Sequence, residues 1–181
     1  MHEMGASEMT AHALLLTGVP GVGKTTIVSK VAAGLSGRRS RGFVTDEIRE
    51  GERRVGFEIR TFGGKTRTLA HVDLRSRHRV GRYGVDVEAL DEVAETALVL
   101  DDETEVYLVD EIGKMECFSE RFCTAMTTLL DAGRPVIATI ARHGGGFISE
   151  VKRRRDIELW EATRDNRDEM PERIQAWLAR R

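Results

Sequence analysis

One short segment, residues 18–25 with the sequence GVPGVGKT, constrains the fold of this chain more than any other feature. It matches G-x-x-x-x-G-K-[ST] at every fixed position. An apolar run at Ala13–Thr17 precedes it, and helical spacing of apolar residues follows it over residues 25–35. Glycines let such a loop curl until its backbone N–H groups converge on phosphate oxygens, and the positive end of the next helix faces the same anion. We therefore predict a strand, a phosphate loop (residues 18–25) and a helix in succession.

Two side chains of the phosphate loop predict what it holds. Lys24 supplies a point charge to the β- and γ-phosphates of a nucleotide, and the Thr25 hydroxyl is a ligand suited to Mg²⁺. The spacing and the chemistry together predict a nucleoside triphosphate bound with Mg²⁺.

A second apolar run, residues 106–109, ends on an acidic pair, Asp110 and Glu111. Open α/β sheets bind ligands at the carboxyl ends of their strands, so Asp110 is predicted to hold Mg²⁺ with Thr25. Successive side chains alternate along a strand, so Glu111 is expected to point away from the metal, where it polarises an attacking water. Glu111 and Lys24 are thus the predicted catalytic residues. The predicted nucleotide-binding residues are Gly18, Val19, Pro20, Gly21, Val22, Gly23, Lys24, Thr25, Thr26, Asp110, Glu111, Ile112 and Gly113.

The same acidic segment also satisfies D-x-x-G, the pattern in which a glycine N–H contacts the γ-phosphate of a GTPase switch. Both interpretations place Asp110 identically, but Glu111 is essential to a hydrolase and incidental to a switch. The guanine-reading pattern N-K-x-D is absent from the sequence. Residues 166–169 (NRDE) come near it, with Arg for Lys and Glu for Asp, so guanine specificity is not supported.

Alternating strand and helix patterns predict an α/β fold with a mostly parallel sheet and helices on both faces. A small hairpin is expected at residues 56–61 and 66–72, and Asp86 and Ser119 are expected to cap helices. We predict one domain over residues 13–181 after a flexible polar leader at residues 1–12. The remaining predicted elements are strands at 43–45, 106–109, 135–140 and 157–162 and a helix at 171–178.

Composition excludes several classes of protein. The chain has 28 Lys+Arg and 30 Asp+Glu, and no apolar run approaches the ~18 residues of a membrane span. Its two cysteines predict no disulfide framework, so a cytoplasmic location is expected, and we expect a monomer. The total charge is near zero, but the charges are unevenly distributed. Residues 36–82 have 13 bases and 6 acids, whereas residues 83–120 have 1 base and 13 acids. A locally positive surface is therefore compatible with the total, and nucleic-acid binding is unproven.

Negative charge builds on the γ-phosphate during transfer and calls for a further cation. Arg142, after a predicted strand, is better placed than the basic run at residues 152–155, where Arg153 and Arg154 equally suit a solvated face. Glu47 and Arg49 either line the site or lie on a solvated loop. Two tryptophans are also singled out: Trp160 stacks a nucleobase or, as we favour, packs, and Trp177 is expected in the core.

Five segments, in order along the chain, resemble the THEP-type nucleoside-triphosphatase family. The DEIGKME and TDEIRE motifs within them are more specific than the phosphate loop. The resemblance implies a RecA-like P-loop domain that hydrolyses ATP, GTP and other nucleoside triphosphates with Mg²⁺ and broad base tolerance. Where a basic pair is expected after PVIATI, this chain has Arg142 and His143 followed by three glycines. The five segments are GVPGVGKTT (18–26), GFVTDEIREGERRVGFEIRT (42–61), VGRYGVDVEALDE (80–92), VYLVDEIGKMECFS (106–119) and TRDNRDEMP (163–171).

Two other functions are compatible with a phosphate loop. A small-molecule or nucleotide kinase would transfer the phosphoryl group to an acceptor covered by the predicted hairpin, and would form ADP without matching free phosphate. A nucleotide-dependent switch protein would turn over slowly and bind a partner in its triphosphate form.

Overall fold

The computed structural model describes residues 11–181, so the predicted leader lies almost entirely outside the described residues. Within this range no helix is long and apolar enough to cross a membrane. The strands are β1 (Ala13–Thr17), β2 (Ser40–Glu50), β3 (Arg53–Thr61), β4 (Thr66–His71), β5 (Arg79–Val80), β6 (Tyr83–Val85), β7 (Val106–Ile112), β8 (Val136–Ile140) and β9 (Ile157–Glu161). The helices are α1 (Lys24–Ala33), α2 (Val87–Thr96), α3 (Glu120–Asp131), α4 (Phe147–Lys152) and α5 (Met170–Leu178), with a 3-10 helix at Glu116–Phe118.

All nine strands form one mixed sheet in the order β5-β6-β4-β3-β2-β7-β8-β1-β9. From β2 to β9 every neighbouring pair is parallel, which confirms the predicted α/β class. The predicted hairpin is β3 and β4, and it continues the same sheet through antiparallel pairs out to β6 and β5. This extension is wider than the sequence indicates, because β5 and β6 are two and three residues long and too short to show a period.

Helices cover both faces of the parallel part of the sheet. Strand β1 is buried along its whole length, and its side chains alternate between two hydrophobic clusters. Leu15 packs in a cluster with residues of α2 and α3, whereas Leu14 and Leu16 pack with residues of α1 and α5. Burial on both faces explains why β1 and the start of β7 are continuous apolar runs.

The predicted caps position the helices next to the sheet. The Asp86 side chain accepts a hydrogen bond from the Ala89 N–H at 3.1 Å, and the Ser119 hydroxyl accepts one from the Phe122 N–H at 2.9 Å. Each bond satisfies an N–H group that the first turn of a helix leaves free. Helices α2 and α3 therefore begin at the residues that the sequence predicts.

Ion pairs join the antiparallel extension to α2. Lys65 on the hairpin turn lies 3.3 Å from Glu92, and Arg67 on β4 pairs with Glu92 and lies 3.8 Å from Asp86. These pairs are exposed and each contributes at most about 1 kcal/mol. Two bases of the basic stretch thus lie against two acids of the acidic stretch.

Trp177 on α5 is fully buried, and its indole N–H donates to Glu158 Oε1 at 2.8 Å. Replacing it with alanine leaves a large cavity against α1, so Trp177→Ala is expected to lower the free energy of unfolding by about 3–5 kcal/mol. Leu159→Ala, at a side chain that is 44% exposed on β9, should change it by no more than about 0.5 kcal/mol. Urea unfolding followed by circular dichroism measures both, and equal losses would contradict the assigned core.

Candidate active site

The carboxyl ends of β1 and β7 and the middle of β2 open into one cavity of about 910 Å³. It brings together most of the predicted nucleotide-binding residues. These residues come from two segments, 18–26 and 110–113, which lie some 85 residues apart in the sequence. Val22 and Ile112 differ from the others, because their side chains are buried in the hydrophobic core and do not line the cavity. Those that line it are Gly18, Val19, Pro20, Gly21, Gly23, Lys24, Thr25, Thr26, Asp110, Glu111 and Gly113.

The phosphate loop has the backbone geometry of an anion cradle. Gly21 and Gly23 have φ values of 77° and 107°, in the left-handed region that favours glycine. Helix α1 begins directly afterwards, at Lys24, with no side-chain cap on its first N–H groups. These free donors and the helix dipole point to a bound anion. The Lys24 ammonium donates to the Gly18 carbonyl at 3.2 Å, which folds the side chain back over the loop.

Asp110 is 1% exposed, and its two carboxylate oxygens have different surroundings. Oδ1 accepts a hydrogen bond from the Thr139 hydroxyl at 2.6 Å, and the Asp110 backbone carbonyl accepts one from Thr45. Oδ2 is buried and has no hydrogen-bond partner among residues 11–181. Burial raises the pKa of the Asp110 carboxyl, whereas the hydroxyls of Thr139 and Thr25 and the Lys24 charge act to lower it. An unpartnered buried carboxylate oxygen next to a threonine hydroxyl fits the ligand set of a hard cation.

Glu111 lines the same cavity as Asp110. The pairing of β7 with β8 shifts register between Val109 and Ile112, so simple alternation of side chains does not hold here. The Asp110–Glu111 peptide bond is cis. Burial raises the pKa of the Glu111 carboxyl, Lys24 lowers it, and Asp110 raises it. A carboxylate with a raised pKa is better suited to accept a proton than an exposed one.

Gly113 lies between two carboxyl groups. A Cβ at this position would lie 2.8 Å from Glu116 Oε2, closer than real Cβ contacts, and 3.1 Å from Glu111 Oε1, so the ends of these flexible side chains would have to shift. With glycine at this position, the two carboxyl groups keep the places that they have in the structure. Sequence reasoning missed Glu116, whose only signal is its place in the DEIGKME motif.

Of the basic residues proposed to stabilise the γ-phosphate charge, some line the cavity and others do not. Arg142 and His143 line the cavity, and the Arg142 guanidinium lies 3.3 Å from a Glu161 carboxylate oxygen. The basic run at residues 152–155 does not line it. Arg154 instead pairs with Asp131 at 2.7 Å and with Asp156 at 2.5 Å.

The antiparallel strands β2 and β3 form the far wall of the cavity, with Glu47 on β2 and Arg54 and Phe57 on β3. Arg54 donates to Glu47 at 2.7 Å and to the Tyr83 hydroxyl at 3.2 Å, and its guanidinium lies 4.9 Å from the centre of the Phe57 ring. Arg49 does not line the cavity but donates to Glu47 at 2.6 Å. Sequence reasoning missed Arg54, because the predicted strand began at residue 56, whereas β3 begins at Arg53.

Trp160 is not among the residues that line the cavity. Its indole N–H donates to Glu158 at 3.1 Å, and the Arg173 guanidinium lies 5.0 Å from the centre of its ring. The contacts agree with the packing role favoured for this residue. The segment that resembles N-K-x-D lies beside the phosphate loop, where Arg167 donates to the Val22 carbonyl at 3.4 Å.

Comparison with known proteins gives one consistent family. A family model described as NTPase matches residues 13–175. The nucleoside-triphosphatase THEP1 of Thermotoga maritima is 40% identical over 158 residues, which cover 87% of this chain and 90% of that protein. The human cancer-related nucleoside-triphosphatase is 36% identical over 176 residues, covering 88% and 93%. The crystal structure of THEP1 from Aquifex aeolicus superposes with a TM-score of 0.83 at 37% identity, covering 92% and 98% of the two chains.

Lys24 supplies the formal positive charge within the phosphate loop. Charge-assisted hydrogen bonds contribute about 1.5–3 kcal/mol, so Lys24→Ala is expected to weaken ATP binding about tenfold or more. Lys30→Ala, on the exposed side of the same helix, is the matched control and should leave the affinity unchanged. Isothermal titration calorimetry measures both, and equal affinity of the Lys24 variant and the wild type would contradict the role of the loop.

Proposed function

The chain belongs to the NTPase family and is a nucleoside-triphosphatase, and on this basis we propose that Asp110 and Glu111 act on a Mg²⁺-bound triphosphate held by the phosphate loop. The observation that carries the proposal is the shared cavity, into which both the loop and the two acids open. We further propose that residues 13–181 act as a monomeric domain in the cytoplasm, after a leader at residues 1–12.

Thr25 and Asp110 would hold the Mg²⁺. The unpartnered Asp110 Oδ2 supports this assignment, because a buried carboxylate oxygen without a donor is expensive unless a cation lies near it. When bound, Mg²⁺ draws charge from the β- and γ-phosphate oxygens and makes the γ-phosphorus a better electrophile. The backbone N–H groups of the loop and the Lys24 ammonium neutralise the remaining phosphate charge.

Glu111 is proposed as the general base. It lines the cavity beside Asp110, and its raised pKa suits proton transfer from water. The water oxygen bonds to the γ-phosphorus in line with the leaving group, and its proton passes to the Glu111 carboxylate. The bond between the γ-phosphorus and the bridging oxygen breaks, and the electron pair leaves on the diphosphate. Lys24 stabilises the charge that develops there.

Arg142 is the cation best placed to stabilise transition-state charge. It lines the cavity, whereas Arg154 is held by two aspartates outside it. Its pairing with Glu161 sets the guanidinium at the cavity wall, where it is available as the γ-phosphate becomes more negative.

We propose hydrolysis of ATP, GTP and other nucleoside triphosphates with little base preference. The phosphate loop binds the part of the substrate that all nucleotides share, and the segment that resembles N-K-x-D has Arg167 in place of the lysine and Glu169 in place of the aspartate of a guanine reader. Selectivity then rests on the triphosphate and not on the base.

Glu111→Gln tests the base, because it removes the proton acceptor and keeps the shape of the side chain. The variant should bind ATP with wild-type affinity and hydrolyse it about 100-fold more slowly or worse. Glu103→Gln, at an exposed acid away from the cavity, is the control. Phosphate release and calorimetric binding measure the two properties, and undiminished turnover would refute the assignment of the base.

Metal dependence and base preference form a second test. Chelation by EDTA should abolish phosphate release, and added Mg²⁺ should restore it. With Mg²⁺, the kcat/KM values for ATP, GTP, CTP and UTP are expected to lie within about tenfold of one another, a spread of 1.4 kcal/mol. Diphosphate and phosphate should form in equal amounts. Diphosphate in excess of free phosphate when a hydroxyl-bearing metabolite is added would instead favour a kinase.

A further inference from the structure

Glu116 is a buried acid at the active site for which the proposed hydrolysis has no role. It begins the 3-10 helix directly after β7, is 5% exposed, and lines the cavity with Glu111. It forms no ion pair with any residue of the described part of the chain. A buried acid without a cationic partner is costly, so its presence calls for an explanation.

The Glu116 carboxyl group lies close to that of Glu111. One point, the position of a Cβ on Gly113, is 2.8 Å from Glu116 Oε2 and 3.1 Å from Glu111 Oε1. The two oxygens can therefore be no further apart than the sum of these distances, about 5.9 Å. This upper bound includes the separations that a hydrogen bond between two carboxyl groups spans, either directly or through one water molecule.

The surroundings of Glu116 favour its protonated form. Burial is the largest of the causes that raise its pKa to about 8, and the charges of Glu111 and Asp110 act in the same direction, whereas hydrogen bonds from the backbone N–H groups of Glu116 and Gly113 act to lower it. Lys24 and Lys114 also line this cavity, and Cys117 follows in the same turn. At neutral pH the side chain therefore carries a proton and can donate a hydrogen bond, which an ionised carboxylate cannot do.

We infer that Glu116 is a positioning residue for hydrolysis, which donates a hydrogen bond to the Glu111 carboxylate and holds it toward the attacking water. This inference rests on Glu111 as the base of the proposed function. The donated bond engages one Glu111 oxygen and leaves the other free to accept the proton of the water. Gly113 is the residue that lets the two carboxyl groups approach.

Two substitutions distinguish a Glu116 that donates a hydrogen bond from a Glu116 that only fills space. Glu116→Gln keeps an uncharged donor of the same shape, so kcat at pH 7 should stay within about twofold of wild type. Glu116→Leu keeps the volume and removes the donor, so kcat should fall about tenfold or more while KM and the Kd for ATP stay within twofold. A Leu variant as active as wild type, or a Gln variant as slow as the Leu variant, would overturn the inference. Glu120→Gln, at an exposed acid nearby, is the control.

A double substitution shows whether Glu116 acts through Glu111. In the Glu111→Gln background, Glu116→Leu should cause no further loss of kcat, because there is no carboxylate left to position. A further tenfold loss would refute this route. Unchanged hydrolysis by Glu111→Gln alone would instead count against the proposed base, so the two failures are distinguishable.

Unfolding of the metal-free protein supplies a readout that does not depend on activity. An acid whose pKa is raised in the folded state gives stability that is complete below its unfolded pKa, near 4.5, and is lost as pH rises through about 8. Urea unfolding should therefore show wild type losing stability relative to Glu116→Gln between pH 5 and about 8. The rate should also fall above pH 8 in wild type and not in Glu116→Gln. Parallel pH profiles for the two proteins would contradict a protonated Glu116 even if the Leu variant fails to fold.

Discussion

The cost of burying acids at the carboxyl end of β7 governs this site. Asp110, Glu111 and Glu116 lie within seven residues of chain and line one cavity, and Asp110 and Glu116 are almost fully buried. A charged carboxyl group in such surroundings costs several kcal/mol unless something offsets it. A different group offsets this cost for each acid. Asp110 accepts a hydrogen bond from the Thr139 hydroxyl, Glu111 interacts with the positive charge of Lys24, and Glu116 is neutral because it keeps its proton. The negative charge that remains is what a hydrated divalent cation neutralises.

The sheet supplies the rigidity that this arrangement needs. Strands β1 and β7 carry the phosphate loop and the acids, and each is buried on both faces and paired with β8. Their carboxyl ends are therefore fixed relative to each other by the core and not by contacts within the site. The antiparallel extension adds a wall, where the Arg54 guanidinium joins Glu47, Phe57 and Tyr83.

Local chemistry explains why much of the fold and the site could be predicted from the sequence. The phosphate loop, the caps at Asp86 and Ser119, and the apolar strands are specified by neighbouring residues, and the structure has them where they were predicted. Features that depend on distant partners were missed. Arg54 lines the cavity because the register of β2 with β3 places it beside Glu47, and Glu116 lines it because the chain turns into the 3-10 helix after β7. No periodicity in the sequence records either arrangement.

Gly113 lies in the structure between Glu111 and Glu116, so the side chains at these three positions affect one another. A side chain at 113 would occupy space next to the carboxyl groups of residues 111 and 116, so the three positions share one limited volume. A larger residue at 113 would displace the ends of the two glutamate side chains, and a shorter side chain at 116 would relieve part of that displacement. The effects of substitutions at 113 and 116 on this corner of the enzyme are therefore expected to be non-additive.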